Sequence, residues 1–349
     1  MKISVVIPTY NERENLPILV DRLFKALNGF DFEIIIIDDN SPDGTWMVAE
    51  SLMLKYSGKI RVLKRPNKLG LASAIIDGFK LSYGDVIVVM DADLQHPPEA
   101  LRSLIKPIEA GNADLVIASR YVRDGYIEGW SFWRVLVSRI ATLISHMILP
   151  ETRSIKDPMS GFFILRRSII SGSSFNPKGY KILLEILVKT RPLRFVEIPY
   201  VFKARKLGSS KLNFNEYVNF LNHIFKLSNY RPLKFALVGL SGVLVNLGLL
   251  EMLIRFSLNI YLASACSIEI SIVNNYLFNT LWTFRNRLKS GFIKAFARYH
   301  IAVALGAVMN WAVFAVLVFF NLHYIISQLI GIFLGYLVNY VLSEYYVWS

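Results

Sequence analysis

The sequence holds one cysteine, Cys266, set inside an apolar run, which rules out both a disulfide framework and a thiol-based metal centre. Two glycine signatures are also missing. Neither GxGxxG nor GxxxxGK[ST] occurs, so glycine-lined phosphate loops of the dinucleotide or P-loop kind are excluded. The start does not read as a secretory signal either. Met1 leads straight into Ile3-Ser4-Val5-Val6-Ile7, a buried strand rather than a charged n-region with a long apolar stretch, so the N-terminal domain is expected in the cytosol. Acidic residues number 26 against 39 basic ones, for a formal charge of +13. That balance suits nucleic acid, anionic lipid heads or a phosphorylated substrate. The 54% hydrophobic content of the 349 residues favours a membrane. The mean hydropathy of +0.41 points the same way. With no stacking-platform signature beside the basic residues, no nucleic-acid partner is expected.

The chain divides near Arg231-Pro232. Before it, short apolar runs alternate with helical stretches. Strands are predicted at Ile3–Ile7, Phe32–Asp38, Lys59–Leu63, Val86–Met90, Asp114–Ala118, Phe162–Leu165 and Phe195–Tyr200. Helices are predicted at Asn15–Leu27, Leu71–Leu81, Pro98–Glu109 and Tyr180–Lys189. The run FEIIIID is apolar without alternation, as in a parallel strand covered on both faces. Strand–helix alternation of this kind argues for a doubly wound α/β sheet in residues 1–230.

Residues 231–349 read differently. Four apolar stretches, Phe235–Ile254, Tyr261–Leu281, Phe296–Phe320 and Tyr324–Val341, each come near the ~20 residues of a spanning helix. Four such runs in so short a segment argue against a large soluble core. Arg285, Arg287, Lys289, Lys294 and Arg298 sit between the second and third, whereas the other two connections carry only Arg255. Positive-inside counting therefore places that loop, and both termini, in the cytosol, with an all-α four-helix multi-pass domain in the cell membrane. Two further segments, Trp130–Leu149 and Lys211–Leu227, are amphipathic and expected in the interface plane; ordinary core helices are the plainer alternative.

The chemistry gathers at strand ends, where open parallel sheets bind ligands. Those ends read Pro8-Thr9-Tyr10-Asn11-Glu12, then Asp38 to Thr45, then Asp91-Ala92-Asp93-Leu94-Gln95-His96. Asp91, Asp93 and Gln95 form a compact set of oxygen ligands for Mg²⁺ or Mn²⁺, which use one or two carboxylates and complete their shell with substrate phosphate. A lone DxD is weak, but this one directly follows the apolar strand Val86–Met90.

VVIPTYNERENL, IIIIDDNSPDGT, RPNKLGLASAIIDGF and VIVVMDADLQHPPE together resemble the family 2 glycosyltransferases with a GT-A fold, in the branch acting on polyprenyl phosphates. The likeness spans roughly Met1–Lys211, and NNYLFNTLWTF at Asn274–Phe284 resembles a GtrA-type membrane domain. By that resemblance Pro8, Tyr10, Glu12, Ile37 and Asp39 hold the nucleoside. Asp91, Ala92, Asp93 and Gln95 bind diphosphate and metal, and Lys178, Arg205 and Lys211 meet phosphates. Asp157, in DPMSGFF, touches the sugar or acceptor, although an Asp before Pro is also an ordinary turn residue. The implied reaction transfers mannose from GDP-mannose to dolichyl or another polyprenyl phosphate with inversion. Asp91, Asp93, Arg120 and Arg205 are its expected catalytic set.

A lipid phosphate monoester, with a second pKa of about 6, is already ionised near neutrality and needs no strong base. The basic residues Arg120, Arg134, Arg139, Arg205 and Lys211 then serve to meet phosphates. Arg134 and Ser138, four apart on a helix, share one face and are expected to hold the acceptor phosphate together with Arg120. Two alternatives stand beside this reading. One is a UDP-glucose enzyme acting on undecaprenyl phosphate. The other is a lipid-linked sugar transporter, for which Glu251, Arg255 and Glu269 in or near the spans speak.

Overall fold

The computed structural model describes residues 1–176, 181–190, 194–204, 214–288 and 291–348. Two compact units, Met1–Leu227 and Ser228–Ser349, make up the chain. The first begins β1 (Lys2–Thr9), α1 (Asn15–Ala26), β2 (Asp31–Asp38), α2 (Thr45–Lys55), β3 (Ile60–Lys64), α3 (Leu71–Leu81), β4 (Val86–Val89), α4 (Leu101–Glu109), β5 (Leu115–Ser119). It continues β6 (Tyr126–Ile127), α5 (Phe132–Ile148), β7 (Phe163–Arg166), α6 (Arg167–Ile170), α7 (Ile182–Lys189), β8 (Phe195–Pro199), β9 (Val201–Phe202) and α8 (Phe214–Leu227).

One sheet runs β3-β2-β1-β4-β7-β5-β8, and β6 pairs with β9 in a small second one. Side chains of β1 and β2 alternate between two apolar layers. Val5, Ile7, Ile34 and Ile36 face a layer shared with Leu16, Leu19 and Leu104, while Val6, Ile35 and Ile37 face Ala72, Ile75 and Ile186. The α1 helix buries Leu16, Leu19, Val20 and Leu23, the spacing of one helical face, and α4 repeats it with Leu101, Leu104, Ile105 and Ile108. Most strand pairs are parallel, but β7 lies antiparallel between β4 and β5, with Ile164 opposite both Val88 and Val116. The sheet is therefore mixed, because an apolar run fixes that a strand is buried and not which way it runs. The α2 helix has little sequence signal, since it leaves Met47 and Leu54 exposed.

β2, β1 and β4 are adjacent, so the loops at their carboxyl ends meet along one rim. Each loop holds a non-glycine residue in the left-handed region: Asn11 at φ 56°, Asn40 at φ 59° and Leu94 at φ 63°. Such conformations cost energy and persist where surroundings enforce them. The α5 helix starts at the Ser131 cap and leaves Phe132, Trp133, Ile140 and Leu143 exposed. In α8 Phe220 and Ile224 are buried, while Tyr217, Val218 and Leu221 are exposed.

The second unit contains α9 (Arg231–Arg255), α10 (Ile260–Phe278), α11 (Phe292–Phe319) and α12 (Tyr324–Leu342). Among the described residues three segments are long and apolar enough to cross a membrane: Arg231–Arg255, Phe292–Phe319 and Leu329–Val347. The remaining helix, α10, is not among them; it carries Glu269 and several other polar residues.

These helices form two copies of one hairpin. Gly242 of α9 packs against Asn275 of α10, and Gly306 of α11 packs the same way against Asn339 of α12. Each hairpin then ends in a five-residue π-helical turn, Asn279–Thr283 and Ser343–Val347. Contacts between the hairpins are mirrored as well. Phe235 meets Tyr340 at 5.7 Å, and Tyr299 meets Tyr276 at 5.7 Å. Within each hairpin an equivalent pair recurs, with Lys234 over Trp282 at 5.8 Å and Arg298 over Tyr346 at 5.0 Å. Phe284 and Trp348, equivalent to each other, stack at 4.4 Å on the pseudo-twofold axis. At that same end buried Glu344 binds Arg231 at 2.9 Å and Arg287 at 2.9 Å. The start of α9, the α10–α11 connection and the end of α12 thus lie together.

Candidate active site

A cavity of about 700 Å³ opens over the carboxyl ends of β1, β2 and β4 and is also lined by α5 and α8. Pro8, Tyr10, Glu12, Asp39, Asp91, Ala92, Asp93, Gln95, Arg120, Arg134 and Ser138 all line it. Ile37 does not; its side chain is buried in the core layer behind α3. Lys178, Arg205 and Lys211 lie outside the described residues.

At the β1–β2 side the loops are tied to one another. Asp38 accepts from Ser41 N–H at 2.8 Å and from Thr9 Oγ1 at 3.0 Å, while Ser41 Oγ accepts from Asn11 N–H at 3.0 Å. Asp39 is more fully engaged than the sequence indicates. It takes Arg65 Nη1 at 2.7 Å and the backbone N–H groups of Leu69 and Gly70 at 2.8 Å each. Its first task is to hold the 65–70 loop, which brings Lys68 over the Tyr10 ring at 3.9 Å.

In the β4 turn, Asp93 Oδ1 accepts from Gln95 N–H at 3.1 Å, and Gln95 Nε2 donates to the Lys203 carbonyl at 2.9 Å. That fixes the amide and leaves its oxygen for a ligand. Among the described residues no three His, Cys, Asp or Glu side chains converge as a metal cage. Two carboxylates and one amide oxygen fit instead a hard cation that completes its shell with substrate oxygens. Lys181 enters the same cavity; burial, then nearby Arg120, lowers its pKa to about 8.

Arg120 is buried, and Asp157 grips it through Nε and Nη2 at 2.8 Å each. Burial works against the guanidinium's charge, but the Asp157 carboxylate outweighs it, so the pKa stands above its ordinary value. Asp157 is therefore an ion-pair partner and not a bare turn residue. Trp130, at 5.5 Å from the Arg120 guanidinium, and Phe202 complete the pocket around it. One face of α5, with Arg134, Val137, Ser138 and Ala141, lines the cavity. The Arg134 guanidinium lies 4.3 Å over Trp130, and Ser138 Oγ accepts from the Tyr121 hydroxyl at 2.7 Å. Trp130, the first residue of the segment expected in the interface plane, lines this cavity because it precedes the helix and packs on Phe202; Trp133 is the exposed one.

Comparison with known proteins places this geometry. Residues 4–172 match Glycosyl transferase family 2, and residues 234–348 match the GtrA/DPMS transmembrane domain. Over 100% of both chains the protein is 44% identical to the dolichol-phosphate mannosyltransferase of Pyrococcus furiosus. The chain belongs to glycosyltransferase family 2. It is also 38% identical to the polyprenol monophosphomannose synthase of Mycolicibacterium smegmatis, over 60% of this chain and 80% of that one. Glucosyl-3-phosphoglycerate synthase from Mycobacterium tuberculosis shares the GT-A fold, with a TM-score of 0.51 and 20% identity over 65% of this chain and 80% of that one.

As a glycosyltransferase with a membrane domain, the protein has a site built of more than its motifs announce. Arg65, Lys68, His96 and Lys181 were not singled out by the sequence reading. Arg65 and Lys68 lie in the RPNKLG stretch already quoted, and His96 directly follows Gln95, so proximity to motifs was their signal. Lys181 had none; only the fold brings it in.

Proposed function

We propose that the protein transfers mannose from GDP-mannose to the phosphate of dolichol or a related polyprenol, with inversion and with Mg²⁺ or Mn²⁺. The observation that carries this reading is the single cavity that joins the Asp91–Gln95 turn to the Arg134–Ser138 face of α5, a helix whose outer side is apolar. Full-length similarity to a dolichol-phosphate mannosyltransferase supports the same substrates.

Pro8, Tyr10, Glu12 and Asp39 lie where the nucleoside is expected, with Lys68 beside them. Asp91, Asp93 and Gln95 would hold the cation, which when bound neutralises the diphosphate leaving group. Lys181 adds a positive charge at that end. Arg120, oriented by Asp157, and Arg134 with Ser138 receive the acceptor phosphate. That phosphate attacks as an ionised oxygen, so the protein's work is alignment and charge neutralisation rather than proton abstraction. Apolar faces on α5 and α8 suit the membrane interface, where the lipid phosphate sits. The basic α10–α11 connection supports a cytosolic position for the charged end of the membrane unit.

Incubation with labelled GDP-mannose, UDP-glucose and other nucleotide sugars against a panel of polyprenyl phosphates tests the reading. Labelled mannolipid from GDP-mannose alone is expected. Label from UDP-glucose instead would replace both donor and product.

A further inference from the structure

The Asp91–Gln95 turn is strained at Leu94, whose φ of 63° is unusual for a branched apolar residue. Something must hold it, and the residue placed to do so is His96. Its Nδ1 accepts the Asp91 backbone N–H at 3.0 Å. The residue is 2% exposed. It is stacked on Phe162 at 5.2 Å and edged by Tyr200 at 6.0 Å and Phe202 at 5.6 Å. Gly161 leaves the space this needs, since a Cβ there would stand 3.2 Å from Asp91 Oδ2 and 3.3 Å from His96 Cε1.

We propose that His96 is a positioning residue of the transfer site: its Nδ1 holds the Asp91 backbone and keeps the strained turn in the form that aims Asp91, Asp93 and Gln95 at one cation. The proposal rests on the reading that those three side chains hold a divalent ion. A phenylalanine would fill the same volume among the three aromatic rings, but it would leave the Asp91 N–H unpaired. Accepting that bond requires a neutral ring with its proton on Nε2.

The test uses the full chain in detergent with GDP present, and follows Mn²⁺ binding by electron paramagnetic resonance. His96→Phe keeps the packing and removes the acceptor; Mn²⁺ affinity should fall about ten- to a hundred-fold, as for other outer-shell partners of metal ligands. His96→Asn restores an acceptor at the Nδ1 position and should stay within about threefold of the parent, on the same outer-shell scale. Gly161→Ala, which crowds both His96 and Asp91, should weaken binding even if His96→Phe fails to fold. Parent-like Mn²⁺ affinity in His96→Phe or Gly161→Ala, or an equal loss in His96→Asn and His96→Phe, overturns the proposal. If the parent itself binds no Mn²⁺, the cation reading falls, and the role of His96 falls with it.

Discussion

Lys181 and Arg120 share one cavity, yet the fold treats their charges differently. Asp157 locks Arg120 as a cation, whereas burial brings Lys181 down to about pH 8. At pH 8 the lysine of the free protein is about half charged, and an arriving diphosphate favours its charged form. Nucleotide binding should therefore take up protons near pH 8 and cease to do so near pH 6.5, where Lys181 is already charged. Calorimetry in buffers of differing ionisation heat measures the uptake; buffer-independent heats at pH 8 would exclude it, and Lys181→Met should abolish it. Asp93→Ala removes a carboxylate from the cation set, and transfer should drop by about 10²–10³, as for loss of one preorganised charge-stabilising group. Undiminished label incorporation would take Asp93 out of the site. Arg134→Ala should lower acceptor use about ten- to a hundred-fold, on the roughly 1.5–3 kcal/mol scale of a charge-assisted contact, with nucleotide affinity nearly intact. Arg134→Lys separates a two-pronged phosphate grip from mere attraction to anionic lipid. Parent-like acceptor kinetics in the lysine variant would leave only the attraction.

Among elements, α5 and α8 carry two jobs on opposite faces. The inner face of α5 presents Arg134 and Ser138 to the cavity, and its outer face presents Trp133, Ile140 and Leu143 to the surroundings. If that outer face seats in the interface, Trp133→Ser with Leu143→Ser should slow transfer to polyprenyl phosphate in vesicles several-fold. Transfer to a short, soluble prenyl phosphate should be spared. Equal loss on both acceptors would make the face a packing surface of another kind. The helical period of both segments was legible in the sequence, since amphipathicity is a local property. Which face meets the catalytic loops was not, because that depends on β4, β7 and β5 lying side by side.

For the whole molecule, the duplicated hairpin makes the membrane unit its own control. A side chain at Gly242 would collide with Asn275, and one at Gly306 with Asn339. Gly242→Val and Gly306→Val should therefore lower the melting temperature in detergent by similar amounts, and a loss confined to one would break the equivalence. The exchange Phe284→Trp with Trp348→Phe should be tolerated better than Trp348→Ala, because the two rings stack face to face across the axis. The repeat was present in the sequence, in Gly242 and Asn275 against Gly306 and Asn339, but gained meaning only when the mirrored ring contacts appeared. Local composition and pattern determined the buried strands, the oxygen-rich turn after β4 and the apolar membrane segments. These follow from hydrophobic period and residue chemistry within a few neighbours. Tertiary structure alone decided that β7 runs backwards, that Asp39 is spent largely on the 65–70 loop, and that Asp157 holds Arg120. It also decided that Lys181 and Trp130 join the cavity. Each depends on residues far apart in the chain meeting in a low-dielectric interior, where pairing and burial set charge and orientation, and no local pattern records such a meeting.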